Sequence, residues 1–314
     1  MRQGNIWLCE RDVNSKTWIY KQSNGCEIRA DVYAGNGDPP RPVIVWLHGG
    51  ALMLGNRRMI HPSHRERYCE AGYTVVAIDY RLAPESKLPD IWSDVQDAIT
   101  WVQTKGPQIF QIDPDRLAVA GHSAGGYLTL LAGCAAQTRP RALVSFYGYG
   151  DIVGPWYCEP SPFYCQQPLV SDEEALSVVG QTPLSSSQTP AALSPDEPDR
   201  SRYYLYCRQR GLWPLAVTGC NPIAERALLL PFCPFSQVTS GYPPTLLLHG
   251  DRDTDVPYEQ SVMMATVLAA AGVEHQLITI AGGEHVFDWR QNDPIVDAAF
   301  DQVVEFLGHH LRAG

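Results

Sequence analysis

A doubly wound, mostly parallel α/β sheet with an inserted, largely helical cap is the fold class that three features of this 314-residue sequence predict. Short runs of strand length are apolar at nearly every position, as in strands buried on both faces of a parallel sheet. Stretches with apolar residues at helical spacing alternate with them. The segment from Asp151 to Gly241 breaks this rhythm with prolines, serines and aromatic rings. A structureless loop of that length is improbable in a compact domain, so it reads as an inserted subdomain with short helices. The division that follows is 1–150 and 241–314 for the α/β domain and 151–240 for the cap.

Taken in order, Asn24-Gly25 lies between Thr17-Trp18-Ile19-Tyr20 and the run from Ile28 to Tyr33, the signature of a hairpin. Val43 to Leu47 is the first fully apolar strand, after the turn-rich stretch Gly35 to Pro42. Thr74 to Ile78, Arg116 to Ala120, Ala142 to Phe146, Thr245 to His249 and Gln276 to Ile280 are further runs of this type. Ile91, Val95, Ala98, Ile99 and Val102 recur at helical spacing, and so do Ile295, Ala299, Val303, Phe306 and Leu307. Both stripes are read as core packing. Tyr127 to Gln137 favours helix, and inside the insert Ser171, followed by three acidic residues, and Asp199 to Arg210 are helix signals.

The formal net charge is −10, with an isoelectric point near 5.3, so the long-range field repels phosphate backbones and anionic lipid. Neither nucleic acid nor membrane is an expected partner. The amino-terminal stretch Met1 to Lys16 has no apolar core of signal-peptide length, which makes a cytoplasmic protein the expectation. The nine cysteines are scattered without Cys-x-x-Cys pairs and are read as reduced thiols. Five of them fall between Cys158 and Cys233, where a disulfide stays open.

The chemistry centres on Gly121-His122-Ser123-Ala124-Gly125-Gly126, between the run Leu117 to Ala120 and a helix-favouring stretch. A strand turning sharply into a helix around Gly-x-Ser-x-Gly holds its serine in a strained conformation with the hydroxyl projecting above the sheet. A serine hydroxyl needs a base, and the base needs an orienting group. Two glycine-containing loops, each following a strand, offer them. In His249 to Pro257, Asp253 is the preferred acid, with Asp255 next; Gly282-Gly283-Glu284-His285 presents His285 as the base. His249 and His122 are read as hydrogen-bonding support, while His275, His309 and His310 are weaker candidates. His48-Gly49-Gly50-Ala51, at a strand end, can aim backbone amides at an oxyanion; Gly50, Ala51 and Ala124 are the expected donors. His61, His64 and Cys69 lack a completing ligand pair, so neither metal nor other cofactor is expected. Trp156 and Trp213 are expected to line the substrate pocket beneath the cap.

These motifs, together with Asp79 to Glu85 and the His-Gly-x-x-Asp-x-x-Val-Pro pattern of His249 to Pro257, resemble the α/β-hydrolase superfamily over Val43 to His285. The chain looks most like hormone-sensitive-lipase-like carboxylesterases and the related feruloyl-esterase and prolyl-oligopeptidase-like hydrolases. The resemblance implies the chain order serine, acid, histidine, places the acid at Asp253 and gives Arg81 and Glu85 a structural role. Ala51 and His122 stand where the lipase-like esterases usually carry glycine and aspartate, which brings the chain nearer the other two branches.

The activity expected is serine-dependent hydrolysis of small-molecule esters with short to medium acyl chains, through an acyl-enzyme. An amidase, arylformamidase or peptidase would use the same triad, and a catalytically silent small-ligand receptor on this fold is a more distant alternative. Self-association into a homodimer is left open.

Overall fold

Asn24 and Gly25 both take positive φ, 50° and 78°, as a tight two-residue hairpin turn requires. They join β1 (Ser15–Ser23) to β2 (Cys26–Tyr33) in antiparallel register. The computed structural model describes residues 15–135, 138–188, 198–290 and 292–312. The first half continues with β3 (Arg41–Leu47), α1 (Pro62–Glu70), β4 (Thr74–Ile78), α2 (Leu88–Phe110), β5 (Ile112–His122), α3 (Ala124–Ala132) and β6 (Ala142–Phe146). The insert supplies α4 (Pro155–Cys158), α5 (Asp172–Leu176), α6 (Ser201–Arg210), α7 (Trp213–Thr218) and α8 (Arg226–Leu229). Then follow β7 (Thr245–Gly250), α9 (Glu259–Ala270), β8 (His275–Ile280) and α10 (Pro294–His310).

The strands form one eight-stranded sheet in the order β1-β2-β4-β3-β5-β6-β7-β8. β2 runs antiparallel to both its neighbours, and from β4 to β8 every pairing is parallel. Alternate residues of β3 explain why its sequence is apolar throughout. Val43, Val45 and Leu47 face a core shared with Ile91, Val95 and Ile99 of α2 and Tyr127 and Leu128 of α3. Ile44 and Trp46 face the opposite core, with Tyr68 of α1 and Phe300, Val303 and Leu307 of α10. α3 stops at Ala132, short of the expected Gln137, which with Ala136 lies outside the described residues. Gly133 packs so closely against Tyr242 that a β-carbon there would lie 2.3 Å from its ring.

The insert packs on the α2/α3 side. Ser171 caps α5, accepting a hydrogen bond from the Glu174 amide at 3.1 Å, and α6 ends at Gly211 in a left-handed conformation. Tyr157 stacks on Trp213 at 3.9 Å, with Tyr149 edge-on to both, and the three rings join the same core as α2. Arg200 and Glu85, both fully buried, pair at 2.7 Å and tie α6 to the loop before α2. Arg81 grips Asp94 of α2 through two bonds of 2.8 and 2.9 Å. Arg81 and Glu85 thus brace loops. The eight described cysteines are free thiols, with no disulfide among the described residues; Cys9 lies outside them. No helix among the described residues is long and apolar enough to cross a membrane.

Trp213 is fully buried, so it does not face a substrate as expected; its indole instead donates to the Ala51 carbonyl at 2.8 Å. Trp213→Ala is expected to lower folding stability by about 3–5 kcal/mol, read as a lower urea midpoint, because the truncation leaves a cavity and an unpartnered carbonyl. A midpoint within error of the parent would contradict this packing.

Candidate active site

The turn from β5 into α3 has room only for the glycines it carries. A β-carbon on Gly121 would lie 2.6 Å from the Leu47 carbonyl oxygen, and one on Gly125 would collide with that same oxygen. Between them Ser123 is held at φ 53°, ψ −119°, a conformation that an L residue adopts at a cost of about 1–3 kcal/mol. Its amide donates to the Phe146 carbonyl at 2.9 Å and its carbonyl accepts from the Tyr127 amide at 2.9 Å, which fixes the elbow at both ends.

Two more loops meet it at the carboxyl ends of the parallel strands, where ligands of open α/β sheets bind. The loops after β7 and β8 approach so closely at Gly250 and Gly283 that a β-carbon on Gly283 would lie 2.9 Å from the Gly250 Cα. This contact brings Asp253 to His285. His285 Nδ1 lies 2.7 Å from Asp253 Oδ2, and His285 Nε2 lies 3.1 Å from Ser123 Oγ. Asp255, the second-choice acid, lies on the other side of the ring, its Oδ2 3.6 Å from Nε2. Only Asp253 can therefore fix the tautomer that leaves Nε2 free to take the serine proton.

Asp253 is wholly buried and well partnered. Its Oδ1 accepts the amides of Asp255 and Val256, each at 2.9 Å, and its Oδ2 also meets His249 Nε2 at 3.2 Å. Burial alone would raise its pKa, but the hydrogen bonds from His249 and His285 outweigh it and hold the carboxyl well below the usual range. His249 is itself pinned, with Nδ1 2.7 Å from Ser261 Oγ. For His285, burial alone would favour the neutral ring. The Asp253 hydrogen bond, then the charges of Asp255, Asp253 and Asp288, outweigh it and raise the imidazole above its ordinary 6.5.

Tyr147 packs edge-on against His285 at 4.7 Å and donates to Asp288 Oδ1 at 2.6 Å; burial lifts that carboxyl to about 6. His122, expected to hydrogen-bond near the elbow, acts by ring packing instead, against Trp46 at 5.0 Å and Tyr147 at 6.0 Å. His275 lies on the edge strand β8 and contacts the Val273 carbonyl.

The loop after β3 is built for close approach. Gly50 has φ 105°, and a β-carbon there would collide with the Leu54 carbonyl; Ala51 and Leu52 follow with φ 54° and 61°. The carbonyl of Gly50 accepts the amides of Met53 and Leu54, while the Gly50 and Ala51 amides make no backbone hydrogen bond among the described residues. Ala124, the first residue of α3, has an amide with no acceptor within its helix. Behind the loop, buried His48 stacks on Tyr80 at 4.1 Å, and burial lowers its pKa to about 4.

Trp156 is half-buried, stacks on Tyr157 at 3.6 Å, and lines a cavity of about 410 Å³ with Phe163, Arg208, Thr254, Asp255 and Pro257. Arg208 of α6 is a contact that the sequence reading missed, since only the fold places it against Asp255. The His61 and His64 rings pack 5.3 Å apart, but with Cys69 they form no trio of metal-ligand spacing among the described residues. The one His/Cys/Asp/Glu trio with metal-ligand spacing among the described residues is Glu274, His309 and His310, away from the triad.

A family model described as alpha/beta hydrolase fold matches residues 44–288. A non-reducing polyketide synthase of Emericella nidulans is 30% identical over 96% of this chain, which aligns with 14% of the synthase. The chain thus spans about one-seventh of the length of the curated relatives it matches. An alpha/beta hydrolase superfamily protein from Enterococcus faecalis has a similar structure, with a TM-score of 0.70 at 24% identity, over 90% of this chain and 96% of that one. Esterase 2 of Thermogutta terrifontis, phosphorylated by paraoxon, superposes with a TM-score of 0.66 at 18% identity, over 97% of both chains.

Proposed function

This chain belongs to the alpha/beta hydrolase fold family, and on that premise we propose that it is a serine hydrolase cleaving carboxylic esters of short to medium acyl chains. The observation that carries the reading is the continuous line from Asp253 through His285 to Ser123, with contacts of 2.7 and 3.1 Å. Ser123 Oγ attacks the acyl carbonyl while its proton passes to His285 Nε2. Asp253 holds the ring and balances the imidazolium, and the amides of Gly50, Ala51 and Ala124 receive the developing oxyanion. Collapse of the tetrahedral intermediate expels the alcohol, which leaves with the proton from His285. Water, deprotonated by the same nitrogen, then releases the acid and frees Ser123.

The segment 151–240 serves in this reading as a cap, touching the site through Arg208 on the acid loop and Trp213 on the oxyanion loop. The esterase name of a structural neighbour favours an ester. The same attack serves a thioester, with sulfur in place of the alcohol oxygen, and the polyketide-synthase relatives give that second reading its observation. The test is a panel of p-nitrophenyl esters of increasing acyl length, run beside matched thioesters and amides. Rates on oxygen esters should rise by up to a few-fold per carbon, following about 0.8 kcal/mol per buried methylene, then fall once the pocket is full. Turnover confined to thioesters or amides would replace the ester reading.

The raised pKa of His285 gives a pH prediction. Only the neutral imidazole accepts the serine proton, so kcat/KM should rise with pH through one ionisation whose midpoint lies above 6.5. His285→Ala should show no measurable rate at any pH where it is folded. An acidic limb centred below pH 6 in the parent would contradict the charge environment described for this ring.

A further inference from the structure

The base of the proposed triad is touched by a carboxylate that the triad does not use. His285 Nε2 faces Ser123 Oγ at 3.1 Å and, on another side, Asp255 Oδ2 at 3.6 Å. Asp255 does not hang free. Its Oδ1 accepts bonds of 2.6 Å from both the Tyr204 hydroxyl and Arg208 Nη1, and Arg208 Nη2 reaches its backbone carbonyl at 3.1 Å. Arg208 has only 3% of its side chain exposed and sits among the rings of Tyr157, Tyr164, Trp156 and Tyr204, 4.8 to 5.7 Å from their centres. A guanidinium so enclosed is rigid, and it comes from α6 of the insert.

Resting on the hydrolase reading above, we infer that Asp255, clamped by Arg208 and Tyr204, is a positioning residue whose negative charge stabilises the imidazolium that His285 becomes once Ser123 has released its proton to Nε2. In the neutral ring Nε2 carries a lone pair directed to the serine proton, and an anion at 3.6 Å forms no hydrogen bond with it. After transfer, the positively charged ring lies 3.6 Å from an anion. Asp255 therefore stabilises the imidazolium formed during acylation, and by the same interaction it makes the resting ring easier to protonate. Arg208 tempers that second effect by neutralising the far oxygen. The other polar groups around the ring are Asp253 and Asp288, both carboxylates, with Tyr147 and His122. None of these comes from the insert, so among the described residues the Arg208–Asp255 pair links the insert to the base.

The test is a proton–carbon NMR titration of the His285 imidazole, assigned by its loss in His285→Gln, in the parent, Asp255→Asn, Arg208→Met and Arg208→Lys. Asp255→Asn should lower the midpoint by about one pH unit, the effect of a unit charge at this distance in a water-like dielectric. Arg208→Met, which leaves Asp255 uncompensated, should raise it, and Arg208→Lys should stay near the parent. Should Arg208→Met fail to fold, Asp255→Asn and Arg208→Lys still decide the matter. The acidic limb of kcat/KM should move with the titration, and the plateau rate of Asp255→Asn should fall within about tenfold of the parent. A titration unmoved by Asp255→Asn, in a protein whose Ser123 still reacts with a fluorophosphonate, overturns this inference alone. Failure of Ser123 to react in the parent overturns the hydrolase reading and the inference with it.

Discussion

Replacing Ser123 by alanine is expected to lower turnover about a millionfold while leaving the fold intact, since triad serines elsewhere show losses of that size. The loss is large because the remaining parts, His285, Asp253 and the amides of the β3 loop, act on an oxygen that is no longer there. The fold should survive, because the elbow is fixed by its glycines and by the backbone bonds of residue 123 to Phe146 and Tyr127, which alanine keeps. Far-UV circular dichroism and the urea midpoint of the variant check the second half of the prediction. Residual activity above a few per cent in a purified sample would remove Ser123 from the role of nucleophile.

The second large effect is expected at the acid. Asp253→Asn should cost on the order of 10⁴ in kcat, because an amide in place of the carboxylate favours the wrong imidazole tautomer, as in the serine proteases from which that magnitude comes. Asp255→Asn should cost tenfold at most. The ranking follows from geometry: Asp253 reaches Nδ1 at 2.7 Å, whereas Asp255 lies 3.6 Å from Nε2 and cannot set the tautomer. Steady-state kinetics on one ester at the plateau pH suffice, and the reverse ranking would move the acid to Asp255. His249 makes the buried Asp253 more secure, so His249→Ala is a useful companion that should lose activity by a smaller factor.

Much of this was legible in the sequence because the signals are local. A strand buried on both faces must be apolar at every position, so Val43 to Leu47 and Thr74 to Ile78 declare themselves, and the Asn24-Gly25 turn fixes the hairpin before any contact is known. That Ser123, Asp253 and His285 would meet was legible for a related reason. Each member follows a strand at a glycine-bearing turn, and the parallel sheet brings all such turns to one edge. What the sequence hid depends on long-range packing. Trp213 and Trp156 look alike as residues, yet one is sealed beneath the Ala51 carbonyl and the other borders a cavity. Arg208 gave no signal, because an arginine in the last turn of a short helix ordinarily faces solvent; only the fold of the insert encloses it in aromatic rings against Asp255. That Asp253 meets His285 Nδ1 while Asp255 lies nearer Nε2 likewise needed the fold.

Whether Ser123 is a nucleophile activated by His285 is tested most directly by treating the protein with a fluorophosphonate at the plateau pH and mapping the adduct by tryptic mass spectrometry. A single stoichiometric adduct is expected on the peptide bearing Ser123, absent in Ser123→Ala and formed far more slowly in His285→Ala. An adduct on another residue, or equal labelling of Ser123 with and without His285, would contradict it.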